Sequence, residues 1–343
     1  MEKQRYNLKD VAKLAGVSLG TASKVINNQY VRPEARLKVE EAMQELSYTP
    51  NAIARSLKAN STKTIGIMIP DISSPVVGKV LRGIEKISRD SGYSILLYNT
   101  TRSTRLEEDA IQAFMRSQVD GIIYLGNTVG EEIAEGLKRT GVPVVFAMTQ
   151  YPDKYFSSVT IDNEHAAYHA VTYLCGMGHR RICLLAGEAD DPNSGIPRTE
   201  GYCRALRDQG LPVDLSLVVC GGYRLERGYE DMKEILKQRD DFTAVFAVSD
   251  DVAIGAMRAL LEAGRRVPED FSVVGFDGIE MAEYTYPRLT TVSQPFEKIG
   301  EEASRLLVSR MKDGKRGGNL VLPFTLLERE SVLTLAEGAA VKR

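Results

Sequence analysis

Few side chains in this sequence stand at spacings that could make or break a covalent bond. His165 and His169 lie four apart in a stretch that reads as helix, a separation at which two imidazoles can share a zinc ion. The stretch runs HAAYH, without the glutamate of HExxH, and no third ligand is evident, so the pair is assigned to packing or to the surface. His179, in Gly178-His179-Arg180, falls at a helix-to-strand turn where its ring is expected to satisfy backbone carbonyls. The four cysteines (Cys175, Cys183, Cys203 and Cys220) form no CxxC pair and sit among apolar neighbours, as buried thiols of a reducing compartment do. GxGxxG is missing as a strand-to-helix turn, and GxxxxGK followed by Ser or Thr does not occur. No catalytic residue, metal or cofactor is expected.

Binding chemistry is better represented, and it begins with the element that must present it. In Leu8 to Asn27, LKDVAKLAGVSLGTASKVIN, the residues Val11, Ala12 and Ala15 recur at helical spacing. Gly16 then interrupts, since glycine takes a left-handed backbone without steric cost, and Ser18 can cap a second helix with Ala22, Val25 and Ile26 on its inner face. Two short helices about a glycine turn make a helix-turn-helix, whose second helix would lie in the DNA major groove; an ordinary helical hairpin fits the same pattern. Arg32-Pro33-Glu34 opens a third helix, in which Leu37, Val39, Ala42, Met43 and Leu46 supply the covering apolar surface. Charge agrees: residues 1–60 hold ten Lys/Arg against six Asp/Glu, whereas the rest holds 34 against 40.

Tyr48-Thr49-Pro50 breaks this pattern, and residues 51–58 are enough for about two helical turns, below the ~12–15 residues at which an isolated helix becomes marginal. From Thr64 the texture alternates between strand and helix. Apolar runs at 64–70, 93–99, 119–126 and 142–148 are followed by a second series at 180–187, 217–221, 244–249 and 271–278. Helical segments intervene, among them Gly78–Ser91, Glu107–Ser117, Asn163–Met177, Arg198–Gln209 and Asp251–Ala263. Non-alternating strands between helices predict parallel sheets covered on both faces, and two series predict two α/β lobes. Tyr155–Ile161 and Leu289–Pro295 read as extended crossings between them, and ligands in such folds sit beyond the C-terminal strand ends. With 343 residues the chain needs two or three domains. The expected divisions are a helix-turn-helix unit at 1–48, a short helical stretch and linker at 49–63, a two-lobed core at 64–335 and a tail at 336–343. No apolar run approaches the ~20 residues that span a bilayer, and MEKQRYNLKD lacks a signal peptide's apolar stretch, so a cytoplasmic protein without membrane contact is expected.

These landmarks together resemble the lactose-repressor (LacI/GalR) family of bacterial transcription regulators over nearly the whole chain. The resemblance rests on LKDVAKLAGVSLGTASKVIN, YTPNAIARSLK, TIGIMIPDISSP, GHRRI, IPRTEGY, SDDVAIGAM, VPEDFSVVGFDG, LTTVSQP and LLERES. It implies a helix-turn-helix head, a hinge helix, and a two-lobed α/β core like that of periplasmic binding proteins, with parallel sheets. It also implies a homodimer on a palindromic operator in double-stranded DNA, acting as a repressor of carbohydrate or carbon metabolism. The positions matching the family's base readers are Leu19, Gly20 and Lys24. Lys24 can donate to guanine, Gly20 offers no side chain, and Leu19 can meet only an apolar edge such as a thymine methyl. Ser18, Thr21, Ser23 and Asn27 suit phosphates. In the hinge, Asn51, Ala54 and Leu57 match DNA-contacting positions, with Leu57 as the wedge in the minor groove; the alternative makes Leu57 a linker residue.

For the effector, the resemblance implies Ser73, Ser74, Arg198, Ser249, Asp250, Asp277, Gln294 and Phe296, a set suited to a sugar or sugar phosphate through bidentate polar contacts and an aromatic face. Arg198 and Asp277 could instead pair with each other, and Asp251 is assigned to charging a helix N-terminus. Many sugar-responsive members carry an aspartate after the fourth strand, where this chain has Thr149-Gln150. GNTVGEEI and SVTIDNEHAAYHAV are similar to the catabolite control protein branch, which implies serine-phosphorylated HPr as an alternative partner; Tyr286 before Pro287, where that branch has arginine, argues the other way. The dimer face is expected on Gly78–Ser91 through Val80, Leu81, Ile84 and Ile87, and no leucine heptads follow Leu335. A sugar-acting enzyme with a similar core is the rival class.

Overall fold

The computed structural model describes residues 6–27, 29–48, 61–126, 128–314 and 318–335, which form two separate units divided at Lys63 and Thr64. The hinge expectation, with Asn51, Ala54 and Leu57, lies outside the described residues.

In the first unit, α1 (Leu8–Leu14) is closed at its start by a reciprocal capping pair between Asn7 and Asp10. The chain turns at Gly16, φ +62°, into α2 (Leu19–Ile26), and α3 (Pro33–Glu45) covers both. Val11, Ala12, Ala15, Ala22, Val25, Val39 and Ala42 form the core. Leu37 does not join it and is 58% exposed. Two helical steps are about 200°, so the face that buries Val39 turns Leu37 outward.

The second unit has two lobes. The first runs β1 (Thr64–Ile69), α4 (Pro75–Asp90), β2 (Ser94–Asn99), α5 (Thr104–Arg116), β3 (Gly121–Leu125), α6 (Glu131–Arg139), β4 (Val144–Ala147) and β5 (Ser157–Ile161). The second runs α7 (Asn163–Gly176), β6 (Ile182–Ala186), α8 (Gly195–Asp208), β7 (Val218–Cys220), α9 (Leu225–Gln238), β8 (Ala244–Ala247), α10 (Asp250–Glu262), β9 (Ser272–Asp277) and β10 (Thr290–Ser293). The chain then returns to the first lobe with α11 (Phe296–Asp313) and β11 (Leu320–Leu322), and ends in the second with β12 (Thr325–Leu327). The sheet orders are β11-β5-β4-β3-β1-β2 and β12-β10-β9-β8-β6-β7, parallel throughout except where β12 meets β10. Ile, Val and Leu runs buried on both faces produce this arrangement.

Tyr155–Ile161 and Leu289–Pro295 are not bare crossings. They carry β5 and β10, and the chain changes lobes immediately after each, then a third time between β11 and β12. The expected dimer face on α4 is corrected as well. Val80, Ile84 and Ile87 are buried inside the first lobe, where α4 packs on α11, and of the four expected residues Leu81 alone stays half-buried. Amphipathicity marks a buried stripe but does not say which neighbour buries it. Cys175, Cys183 and Cys203 are buried, whereas Cys220, last in the short edge strand β7, is exposed. No described helix is long and apolar enough to cross a membrane.

Candidate functional site

In the head, the turn at Gly16 leads to Ser18, whose Oγ accepts from Thr21 N at 3.1 Å and lies 2.9 Å from Thr21 Oγ1. The two hydroxyls are thus engaged with each other at the helix start. Ala22 and Val25 hold α2 against the core, which leaves Ser18, Leu19, Gly20, Lys24 and Asn27 exposed and Thr21 and Ser23 half-buried. Asn27 spends its Nδ2 on Ser23 O at 2.7 Å, closing the far end of the helix. No acidic residue occupies the first turn of α2, so its positive end is uncompensated and suits an anion such as phosphate.

In the core, a cleft of about 370 Å³ opens between the lobes at the C-terminal ends of their strands. Among its buried polar groups is Arg198, 5% exposed, which projects from α8. Arg198 Nε donates to Asn163 Oδ1 at 2.9 Å, Nη1 donates to Val248 O at 2.5 Å, and the guanidinium lies 3.7 Å above the Phe276 ring. Asp277 ends β9 with φ +122°, a backbone that side chains rarely adopt, and accepts from Gln294 Nε2 at 2.8 Å. Burial pushes its carboxyl up to about 6, against the opposing pull of Arg198. Ser73 donates through both N and Oγ to Asp71 Oδ1, and those bonds hold the Asp71 carboxyl below the ordinary range. Ser249 Oγ donates to Tyr223 O at 3.2 Å and accepts from Val252 N.

Of the expected effector residues, Ser73, Ser74, Arg198, Ser249, Asp277 and Gln294 line the cleft together. Asp250 and Phe296 do not. Asp250 is fully buried, its carboxylate accepting from Thr291 Oγ1 at 2.5 Å and Ile279 N at 2.8 Å, and burial first, then Asp277, pushes it up to about 8. Phe296, 2% exposed, packs in the apolar core. Asp251, assigned to the helix end, stands in the first turn of α10 and also faces the cleft. One step along the helix rotates a side chain by about 100°, enough to exchange the two acids' roles. Arg102, Met148, Tyr223, Arg224 and Glu226 also line the cleft and were not anticipated. Thr101, Arg102, Met148 and Asp277, non-glycine residues with positive φ, all lie at or beside it, and their position at strand ends was the available signal.

The other candidates resolve simply. His165 and His169 are exposed on α7 and pack their rings toward Phe324, with centroids 5.7 and 6.0 Å away. His179 Nδ1 lies 2.9 Å from Thr243 Oγ1, and a backbone bond to Leu333 also acts on the ring, in line with the expected backbone partner. Among the described residues no group of three or more His, Cys, Asp or Glu could hold a metal.

Comparison with known proteins places this geometry. Residues 7–51 match the bacterial regulatory proteins of the lacI family, and residues 171–332 match a periplasmic binding protein-like domain. Catabolite control protein A of Priestia megaterium is 38% identical over 324 residues, covering 94% of this chain and 98% of that protein. The chain belongs to the LacI family. Among solved LacI-family structures, the lac repressor dimer bound to operator and the anti-inducer ONPF superposes with a TM-score of 0.86 at 28% identity, covering 96% of this chain and 100% of that one. The transcriptional regulator CelR in complex with cellobiose gives 0.74 at 34% identity, covering 95% and 100%. The resemblance drawn from sequence motifs, including its catabolite-control texture, is therefore borne out, and the protein is a LacI-family transcription regulator.

Proposed function

We propose that this protein is a cytoplasmic, homodimeric repressor that reads a palindromic operator through α2 and releases or grips it according to a small polyhydroxylated effector, a sugar or sugar phosphate, in the interlobe cleft. The carrying observation is Arg198, held rigid by Asn163, Val248 O and the Phe276 face while still lining a cleft that Asp277 and Gln294 share. A preorganised guanidinium beside a carboxylate binds vicinal hydroxyls in bidentate fashion. It is read as a binder and not an enzyme, in keeping with the transcription regulators to which it is similar over nearly its whole length. The division into head (1–48), hinge (49–63), core (64–335) and tail (336–343) follows from the same reading.

Lys24 would read guanine, Leu19 a thymine methyl, Ser18, Thr21, Ser23 and Asn27 phosphates, and Asn51, Ala54 and Leu57 the minor groove. For the dimer, a groove of about 670 Å³ on the second lobe, lined by Ile254, Met257, Leu261, Val267 and Tyr286, offers apolar surface. Leu261 is 64% and Tyr286 98% exposed. A second reading, docking of serine-phosphorylated HPr, is favoured by the cations Lys86, Lys298 and Arg305, which gather around Glu301 on α4 and α11.

Selection of the full-length protein against a random duplex pool tests the DNA side. A palindromic consensus is expected, and Lys24→Ala should cost ~1–3 kcal/mol on it and relax one base position. Uniform loss on all sequences would reassign Lys24 to phosphate, and no preference over random duplex would sink the proposal. A thermal-shift screen of sugars, sugar phosphates and phosphorylated HPr separates the two effector readings.

A further inference from the structure

Among the described residues, at least three hydrogen-bonded contacts join the lobes across the cleft without involving the crossing strands. Lys79 Nζ, on α4, donates to Gly278 O at 2.9 Å, and Gln150 N donates to Asn193 Oδ1 at 3.1 Å. The third is an ion pair: Arg102 Nη1, beyond β2, donates to Glu188 Oε1, beyond β6, at 3.1 Å. Topology makes the three unequal. All three crossings leave from β5, β10 and β11, on one side of the two sheets, whereas β2 is the opposite edge of its sheet. Four strand spacings separate β5 from β2, about 19 Å. A contact at that edge has the longest lever arm against hinge opening, and a small rotation separates its partners first.

The backbone beneath Arg102 is specialised for this placement. Thr101 and Arg102 are consecutive non-glycine residues in the left-handed region, with φ of +47° and +59°. Each such residue is disfavoured locally and persists only where the surroundings demand it. Arg102 also lines the cleft, so the pair stands at its mouth and not on a remote surface. Both side chains are a little under half exposed, hence accessible to salt.

We propose that Arg102 and Glu188 form an ionic latch across the mouth of the cleft, which sets the balance between closed and open lobes. An exposed pair of this kind contributes at most a modest increment, about a fivefold change in the closed-to-open ratio. That suits a device that biases a switch without locking it. The latch belongs to the two-lobed core itself, so it stands or falls separately from the identity of the effector.

Interlobe distances in the full-length protein test it. Spin labels are placed at Ser117→Cys and Gln209→Cys in a Cys220→Ser background, because Cys220 is the exposed native thiol. Labelled chain is diluted with unlabelled so that distances within one chain dominate. Glu188→Gln and Arg102→Gln should each shift the distribution toward open lobes, by up to about fivefold in population, and the double variant should shift it no further than either single. Raising salt from about 0.1 to about 1 M, which shortens the screening length from about 10 to about 3 Å, should open the native protein and leave Glu188→Gln unmoved. Unchanged distributions in the single variants, additive effects in the double, or equal salt response in Glu188→Gln would each overturn the latch.

Discussion

His179 sits between the end of α7 and the start of β6, where burial pulls its imidazole down to about 4 against the opposing effect of a Leu333 backbone bond. The unfolded chain takes up a proton near 6.5 while the folded protein refuses it until far lower pH. Between those values the unfolded state binds more protons, so this residue's contribution to stability is complete above about 6.5 and is lost as pH falls toward 4. His179→Gln should therefore lower the melting temperature at neutral pH, through loss of the 2.9 Å contact with Thr243, yet flatten the decline on the acid side. Melts recorded from neutral pH down to about 4 check this, and an unchanged acid limb would show that other groups carry it. Asp250 is the opposite case, a carboxyl that burial holds protonated to about 8. Arg198 differs from both in that two acceptors and a ring meet its buried guanidinium directly.

At the scale of elements, the helices of the core meet through glycines. A Cβ on Gly83 of α4 would stand 2.0 Å from Glu297 O on α11, and one on Gly300 would stand 2.1 Å from Val80 O. Gly228 of α9 and Gly255 of α10 face each other's helix backbone in the same way, each at 2.1 Å. The missing side chains let backbones approach closer than any alanine would allow, and α4 with α11 ties the returning chain to the first lobe. Gly300→Ala should destabilise the protein by at least ~1–3 kcal/mol, because the obstructing atom is backbone that cannot swing aside. Gly78→Ala, on the exposed side of the same α4 with nothing near its Cβ, should instead stabilise by ~0.4–1 kcal/mol. Denaturant unfolding of the two variants separates close approach from helix propensity; equal effects would refute the distinction.

For the whole molecule, effector occupancy matters only if the angle between lobes is communicated to paired heads. That requires a dimer whose interface feels lobe movement. The groove on the second lobe beside α10 fits this requirement, and Leu261→Glu would bury a charge against its twin there. Sedimentation should show a shift from dimer to monomer at micromolar protein, with operator affinity falling in parallel. A variant that stays dimeric would place the interface elsewhere. Coupling of ~1–3 kcal/mol between cleft and operator is enough for a 5- to 150-fold response.

The head, the alternation of the core and the residue types at the strand ends were all legible in the sequence, because each depends on contacts within a few residues. Gly16 needs only its own backbone freedom to make the turn, Ser18 reaches only to Thr21, and strand runs such as TIGIMI declare their burial by composition. Tertiary structure alone decided which of the adjacent acids Asp250 and Asp251 faces the cleft, since that depends on where Thr291 and Ile279 arrive from a strand and a loop some 30 to 40 residues away. It likewise hid the apolar stripe of α4 beneath α11, more than 200 residues downstream, and brought Arg102 to Glu188 across the mouth of the cleft. Local pattern records the propensity of a segment and the width of its apolar face. Which partner fills that face, and which charge meets which, is set by packing between segments that the sequence leaves far apart.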